Sequence, residues 1–251
     1  MSDYVDGVVL RAPGGTVAAD GLTRPTGVTL DGAGDLYVCD TGNNRVVEIP
    51  ADGGPQVVVA ATDLNRPVAT ALDAAGNLFI SDSFNDRVVE VPADGGPQTT
   101  VPLTGLSHPD GLAFDAAGDL FVADFINDRV VELPAGGGPQ TTLPVSGLSQ
   151  PAGLAFDRAG ALYISSTGTN SVVKVPAHGG PQRTVPTVGL NSPQGLAVDA
   201  AGDLYIADFG NDRVVAVPGD GGPQTTVPVA GLHSPVGLAT PLCGARGGHH
   251  G

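Results

Sequence analysis

Hydrophobic and polar positions along the chain group into short β-type runs, and the stretch that begins at Pro109 shows four of them in succession. Residues 111–114 are apolar at consecutive positions, which is typical of a strand covered on both faces. Residues 120–123 and 130–133 form two further β-type runs, whereas 140–143 is rich in threonine and suits an outer edge strand. Gly- and Pro-containing turn sequences separate the runs. The pattern predicts a small four-stranded antiparallel sheet.

This unit recurs along the chain at intervals of 42 residues. Three markers keep the same register: the proline that opens the first run, the Gly-Gly-Pro-Gln turn, and the arginine that opens the third run. The opening prolines are Pro25, Pro67, Pro109, Pro151, Pro193 and Pro235, and the arginines are Arg45, Arg87, Arg129 and Arg213, with Ser171 in the remaining unit. Four strands in about 42 residues is the size of one blade of a β-propeller.

The repeats leave a remainder at each end of the chain that together has almost the length of one more blade. Five full units cover 25–66, 67–108, 109–150, 151–192 and 193–234, so 41 of the 251 residues are left over. We therefore expect a single all-β domain over 1–243, a six-bladed β-propeller whose last blade combines 1–24 with 235–243 and removes the exposed sheet edges. The alternative is five complete blades with frayed ends. Residues 244–251 are expected to be a disordered tail.

The repeated motifs carry a family resemblance. The pattern P-x-G-L-A-x-D…G-D-L-Y-V-A-D-x-x-N-x-R-V-V resembles the NHL repeat over about residues 7 to 242. The Q-T-T-V-P-x-x-G-L segment is similar to the NHL propeller that forms the extracellular sensor domain of receptor-type Ser/Thr kinases in mycobacteria and their relatives. This resemblance implies a sensor role and an extracytoplasmic location. The bare sequence, which shows no signal peptide or transmembrane segment, favours the cytoplasm.

Composition and charge exclude several classes of function. The chain has 26 acidic and 11 basic residues, a net charge of −15, whereas nucleic-acid binders carry a basic footprint. No apolar run reaches the roughly 18 residues that cross a bilayer, so we expect no membrane insertion. The two cysteines, Cys39 and Cys243, fall on opposite faces of the expected ring and are predicted to be free thiols.

Carboxylates recur at the same position in most units, which favours a structural role. In the NHL pattern the acidic residue after strand two pairs with the arginine that begins strand three. The resemblance implies the pairs Asp40–Arg45, Asp82–Arg87, Asp124–Arg129 and Asp208–Arg213. A group present once per blade is most simply part of the blade's own loop. The fourth unit has Ser166 and Ser171 at these two positions.

The positions at which the blades differ are the better candidates for function. Two connections per blade are expected around the mouth of the central channel, and one side of this rim gathers basic and aromatic side chains. Such a set suits a peptide, a protein or a small anionic ligand. The alternative is ordinary loop variation, with the phenylalanines packed between blades. The candidate ligand-binding residues are Arg24, Arg66, His108, Asp110, Phe84, Phe125, Phe209 and Gln194, with Ile126 beside them.

Signals for catalysis are weak. The five histidines, His108, His178, His233, His249 and His250, do not supply three ligands that converge on the channel, as a His-ligated catalytic zinc requires. Asp110 is the one acid at the channel position after the proline, too few for a calcium site. We therefore predict no catalytic residues, no metal and no cofactor. The leading hypothesis is a monomeric, non-catalytic binding or sensor propeller, and the alternative is a metal-dependent hydrolase or lyase with its site in the channel.

Overall fold

The structure, a computed structural model, describes residues 1–10, 16–17, 19–177 and 180–240. Its described residues form five four-stranded antiparallel sheets and one three-stranded sheet, with no α-helix among them. The predicted all-β propeller of four-stranded antiparallel blades is therefore confirmed. Within the described ranges, no helix is long and apolar enough to cross a membrane.

Each complete blade, numbered 1 to 5 along the chain, runs outward from the channel in sequence order. The inner strands are Pro25–Leu30, Pro67–Leu72, Pro109–Phe114, Pro151–Phe156 and Pro193–Val198. The second strands are Leu36–Asp40, Leu78–Asp82, Leu120–Asp124, Leu162–Ser166 and Leu204–Asp208. The third strands are Arg45–Ile49, Arg87–Val91, Arg129–Leu133, Ser171–Val175 and Arg213–Val217. The outer strands are Val57–Val58, Thr99–Thr100, Thr141–Thr142, Arg183–Thr184 and Thr225–Thr226.

One short 3-10 helix joins the second and third strands of every complete blade. The five are Thr41–Asn43, Ser83–Asn85, Phe125–Asn127, Thr167–Thr169 and Phe209–Asn211. Each is followed by an Asn or Asp in the left-handed region, with φ between 52° and 55°. Asn and Asp tolerate that conformation better than most residues, which explains their recurrence there.

The sixth sheet, called here the closing sheet, is made by both ends of the described chain. Its strands are Ser2–Asp3, Val8–Leu10 and Thr16–Val17. The segment 235–237 lies along its inner edge, where Asp3 bridges Pro235 and the Ser2 N–H donates to the Gly237 carbonyl at 3.0 Å. Five complete blades is the number in the alternative prediction, and the closing sheet is smaller because the C-terminal segment adds a bridge instead of a full strand. The expected disordered tail and Cys243 lie outside the described residues.

Close approach of the inner strands explains the repeated glycine of the Pro-x-Gly step. A Cβ placed on Gly111 would clash with the Ala152 carbonyl of the next blade. The same clash would occur between Gly237 and the Thr26 carbonyl, so the C-terminal segment packs against blade 1 and completes the circle of inner strands.

The hydrophobic core is divided among the spaces between neighbouring blades. Ile80, Ile164 and Ile206, from second strands of three blades, are fully buried. Ring pairs cross two of the boundaries, Phe79–Phe114 with centroids 4.9 Å apart and Phe121–Phe156 at 5.0 Å. A single blade cannot bury its own apolar face, so each one depends on its neighbours.

The Gly-Gly-Pro-Gln motif ties the outer part of each blade to the blade before it. Gln98 accepts the Thr62 N–H at 2.9 Å and donates to the Thr62 carbonyl at 3.3 Å. The same residue in the other repeats binds backbone groups 36 residues earlier: Gln56, Gln140, Gln182 and Gln224.

Candidate binding site at the channel mouth

Two connections of each blade meet on one face of the ring and form the mouth. The 3-10 turn of blade 2 lies against the connection that enters the same blade, since the Phe84 N–H donates to the Asn65 carbonyl at 3.1 Å. In blade 1 the Gly42 N–H donates to the Thr23 carbonyl at 2.8 Å. The variable residues of both connections therefore share one surface.

The repeated Asp and Arg side chains contact each other inside single blades. Asp124 is fully buried and accepts hydrogen bonds from Arg129 Nε at 2.7 Å, Asn127 Nδ2 at 2.9 Å and the Ser107 N–H at 2.7 Å. Because the carboxylate joins both connections of its own blade, its role is to hold the loops. The equivalent ion pairs are Asp40–Arg45 at 2.6 Å, Asp82–Arg87 at 2.7 Å and Asp208–Arg213 at 2.6 Å.

The residues before the inner-strand prolines have an unusual backbone conformation. Arg24, Arg66 and His108 have φ values of 50°, 52° and 50°. Left-handed backbone is unfavourable for side chains of this size, so something must hold it. The N–H groups of Arg66 and His108 donate to Asn44 Oδ1 at 2.8 Å and Asp86 Oδ1 at 2.7 Å, both in the preceding blade. The mouth thus carries variable side chains on a repeated, fixed backbone.

Three of the predicted residues form one contact group. The Arg66 guanidinium carbon lies 4.5 Å from the centroid of the Phe84 ring. Phe84 also packs edge-on against His108, with centroids 4.8 Å apart. The Phe84 residue is still 46% exposed, so this group of a cation, an aromatic ring and an imidazole faces solvent.

A second contact group contains a residue that the sequence reasoning missed. Tyr4 of the closing sheet lies 5.9 Å from the Arg24 guanidinium and 6.3 Å from the Phe209 ring. In the strand register Asp3 lies opposite Val8, just as Asp208 lies opposite Arg213. Tyr4, the residue after Asp3, therefore takes the position that Phe209 has after Asp208. Alignment of the N-terminal segment to that register would have identified Tyr4.

Arg24, Arg66 and His108 precede the inner strands of three consecutive blades and place basic side chains on one side of the mouth. The residue at the end of the 3-10 turn is neutral at Asn44, beside Arg66, and at Asn170, whereas it is acidic at Asp86, Asp128 and Asp212. We call Tyr4, Arg24, Arg66, Phe84 and His108 the basic sector.

Of the remaining predicted residues, Phe209 contacts the basic sector through Tyr4, and the other three do not join it. Phe125 is half-buried and packs on no other ring in the described part of the chain, and its neighbour Ile126 is 51% exposed. Asp110 and Gln194 lie near the start of inner strands and are half-buried. Burial raises the pKa of Asp110 to about 7, and no described residue donates a hydrogen bond to its carboxyl group.

Cys39 offers no reactive thiol. Its side chain is completely buried at the end of a second strand, forms no disulfide, and has its pKa raised by burial and by the charge of Asp110. A thiol in such surroundings stays protonated and unreactive.

Comparisons with known proteins agree with this architecture. The sequence profile of the NHL repeat matches residues 22–49 and 190–216. No curated protein matches the sequence significantly. A chain in the crystal structure of the nidogen/laminin complex is similar with a TM-score of 0.83 and 21% identity, over 94% of this chain and 95% of that one.

Two lyases are also structurally similar. Streptogramin B lyase has a TM-score of 0.64 at 16% identity, with 86% of each chain covered. A catalytically inactive virginiamycin B lyase from Staphylococcus aureus, with quinupristin, has a TM-score of 0.66 at 17% identity, over 86% of this chain and 74% of that one. Likenesses at these identities establish the fold alone. The repeat matches and the fold together support one conclusion: this chain is a β-propeller that contains NHL repeats.

Proposed function

We propose that this protein is a non-catalytic binding propeller whose basic sector takes an acidic segment of a protein partner. The observation that carries the proposal is the placement of two arginines, each against an aromatic ring, on one side of the mouth of a chain with net charge −15.

The chemistry of the basic sector suits carboxylates. A guanidinium stays charged at any physiological pH and can donate two parallel hydrogen bonds to a carboxylate. The cation–π contact of Arg66 with Phe84 at 4.5 Å, and the looser one of Arg24 with Tyr4 at 5.9 Å, place each guanidinium beside an aromatic ring and leave N–H groups for a ligand. Each contact also restricts the side chain before binding, which lowers the entropy cost of the complex.

An exposed aromatic ring belongs to the same surface. Phe84, which is 46% exposed, offers the large, weakly hydrated area that commonly anchors a protein partner beside charged contacts. Asp86 and Asp128 would repel an acidic segment, so the ligand would lie over Arg24 and Arg66 and avoid the blades farther round.

The fold likenesses bear on the class of ligand in different ways. A complex of two proteins, nidogen and laminin, contains the similar chain with the TM-score of 0.83, which supports a protein partner. The resemblance to kinase sensor domains adds the finer proposal that the partner is an extracytoplasmic signal. The alternative of a metal-dependent hydrolase or lyase rests on fold likeness to lyases at 16–17% identity.

The test uses a fluorescein-labelled Tyr-(Glu)6 peptide, with Tyr-(Gln)6 as the uncharged probe, and fluorescence anisotropy. We expect the double variant Arg24→Ala/Arg66→Ala to bind the acidic peptide at least about tenfold more weakly, since each lost charge-assisted hydrogen bond is worth about 1.5–3 kcal/mol. Phe84→Ala should weaken it by a smaller factor.

The matched control is Arg158→Ala/Arg183→Ala, which removes the same charge from blade 4, outside the basic sector. Its affinity should change less than about twofold. Equal losses in the two double variants would contradict the proposed site, and so would equal binding of the glutamine peptide. Competition by submillimolar citrate would assign the basic sector to a small anion instead of a protein.

A further inference from the structure

The closing sheet brings together three metal-ligating side chains from opposite ends of the described chain. One ligand atom each from Asp3, Asp6 and His233 lies within 4.8 Å of the other two. His233 Nδ1 and Asp6 Oδ2 are 2.9 Å apart, with the two side chains 55% and 45% exposed. Asp3 is fully buried beneath them.

Asp3 is the fifth copy of the carboxylate that holds the mouth loops, which blade 4 replaces with Ser166. It pairs with Val8 across the strands, as Asp124 pairs with Arg129. It accepts the His233 N–H at 2.7 Å, as Asp124 accepts the Ser107 N–H at 2.7 Å. The buried carboxylate is therefore kept in the closing sheet.

Both side-chain donors that accompany this carboxylate elsewhere are replaced. In blade 3 they are Asn127, three residues after Asp124, and Arg129, five residues after it. The same steps from Asp3 lead to Asp6 and Val8. Compared with blade 3, the closing sheet therefore has a carboxylate, Asp6, in place of the amide and an apolar side chain, Val8, in place of the arginine.

Backbone donors compensate only part of this change. Asp3 accepts N–H groups from Val5 at 3.2 Å, Asp6 at 3.0 Å and His233 at 2.7 Å, and none of the described Arg and Lys ion pairs includes it. A buried carboxylate is costly without a compensating cation. The four charged blades have that cation at 2.6–2.7 Å.

A backbone carbonyl at the corresponding position is also without its usual donors. In blade 3 the Gly105 carbonyl accepts from Asn127 at 3.0 Å and from Arg129 at 2.8 Å. Gly231 takes the place of Gly105 before the closing sheet, and among the described residues no hydrogen bond reaches its carbonyl.

We propose that Asp3, Asp6 and His233 bind a first-row divalent metal ion, with the Gly231 carbonyl as a further oxygen ligand. Two carboxylates with one imidazole suit Mn²⁺ or Zn²⁺ better than Ca²⁺, which prefers oxygen ligands alone. The ion takes the electrostatic place of the missing arginine. Since Asp3 and Asp6 come from the first strand region and His233 from the last described segment, the bound ion would hold the two ends of the ring together.

The test measures thermal unfolding with and without MnCl₂ or ZnCl₂ at pH 8. The parent is a His249→Ala/His250→Ala variant, so that the tail histidines cannot bind the metal. A ligand at about 100 times its Kd should raise the Tm of a chain of this size by about 5–10 °C. Calorimetry should find one ion per chain.

Asp6→Asn and His233→Gln, introduced into this parent, change exposed side chains and should each abolish most of the shift. The control is His108→Gln in the same parent, because His108 also faces an aspartate, Asp86 at 3.7 Å, but among the described residues no third ligating side chain completes a group with them. It should keep the full shift. Equal metal shifts in the parent and in His233→Gln, or no stoichiometric binding to the parent, would overturn the proposal.

Discussion

The mouth turns of blades 3 and 4 have the same backbone and different chemistry. Both are three-residue 3-10 helices, Phe125–Asn127 and Thr167–Thr169, followed by a residue at φ 54°. Blade 3 surrounds its buried Asp124 with Arg129 and two further donors.

Blade 4 builds the turn from hydroxyl groups. Ser166 Oγ accepts the Ser149 N–H at 2.9 Å and the Thr169 hydroxyl at 2.7 Å, and Thr169 and Ser171 are hydrogen-bonded at 2.8 Å. The turn therefore needs a buried acceptor for the incoming backbone N–H, but that acceptor need not be charged. A buried carboxylate destabilises the turn only when its arginine partner is removed.

The largest expected effect comes from leaving the carboxylate of blade 3 without its cation. Arg129→Ser should lower the free energy of unfolding by about 2–4 kcal/mol, because Asp124 stays buried and loses its charged partner. The double variant Asp124→Ser/Arg129→Ser, which copies blade 4, should lose less than the single one. Urea denaturation measures both, with Ser171→Ala as the control at about 1 kcal/mol or less. A double variant as unstable as Arg129→Ser would show that the unpaired Asp124 carboxylate is not the cause of the loss.

A smaller effect should come from Asp110, a half-buried carboxyl that has none of the donors of Asp124. Its folded pKa of about 7 exceeds the unfolded value of about 4, so the native state binds the proton more tightly. Its contribution to stability is full below about pH 4 and is lost as the pH rises through 7.

The stability of Asp110→Asn relative to the wild type should therefore increase between pH 4 and pH 7. Above about pH 8 the difference in unfolding free energy should be constant. The measurement is the difference in unfolding free energy at each pH, in which the other carboxylates cancel. A difference that does not vary with pH would show that the Asp110 carboxyl is solvated like a surface acid.

The smallest change in unfolding free energy is expected for Lys174, which lies away from the mouth in blade 4. Lys174 Nζ lies 3.0 Å from Asp157 Oδ2 in blade 4, and Glu132 takes the position of Lys174 in blade 3. The Lys174 side chain is 36% exposed, so Lys174→Glu should cost only about 0.5–1 kcal/mol. Salt at 1 M should remove most of that loss. A salt-independent loss would indicate that lost packing of the lysine stem dominates.

Much of the candidate site could be predicted from the repeat register, and part could not. Arg24, Arg66 and His108 stood out because they break a 42-residue pattern at a known position. The contact of Phe84 with both Arg66 and His108 could not be predicted, because rotamers and the spacing of adjacent blades decide it. Phe125 belongs to the same sequence class, yet it makes no comparable contact among the described rings.

The four-stranded unit and its period follow from the sequence, since they depend on residues that lie close together in the chain and recur several times, and the family resemblance implied the ion pairs within each blade. How the two ends of the described chain meet is a property of the tertiary structure, in which the segment after Ser234 adds a bridge instead of a full strand. The contacts of Asp3 with His233 and of Ser2 with Gly237 join residues more than 200 positions apart. The repeat register indicates which residues take these positions, but whether the two ends come within hydrogen-bond distance depends on the accumulated curvature of every blade between them.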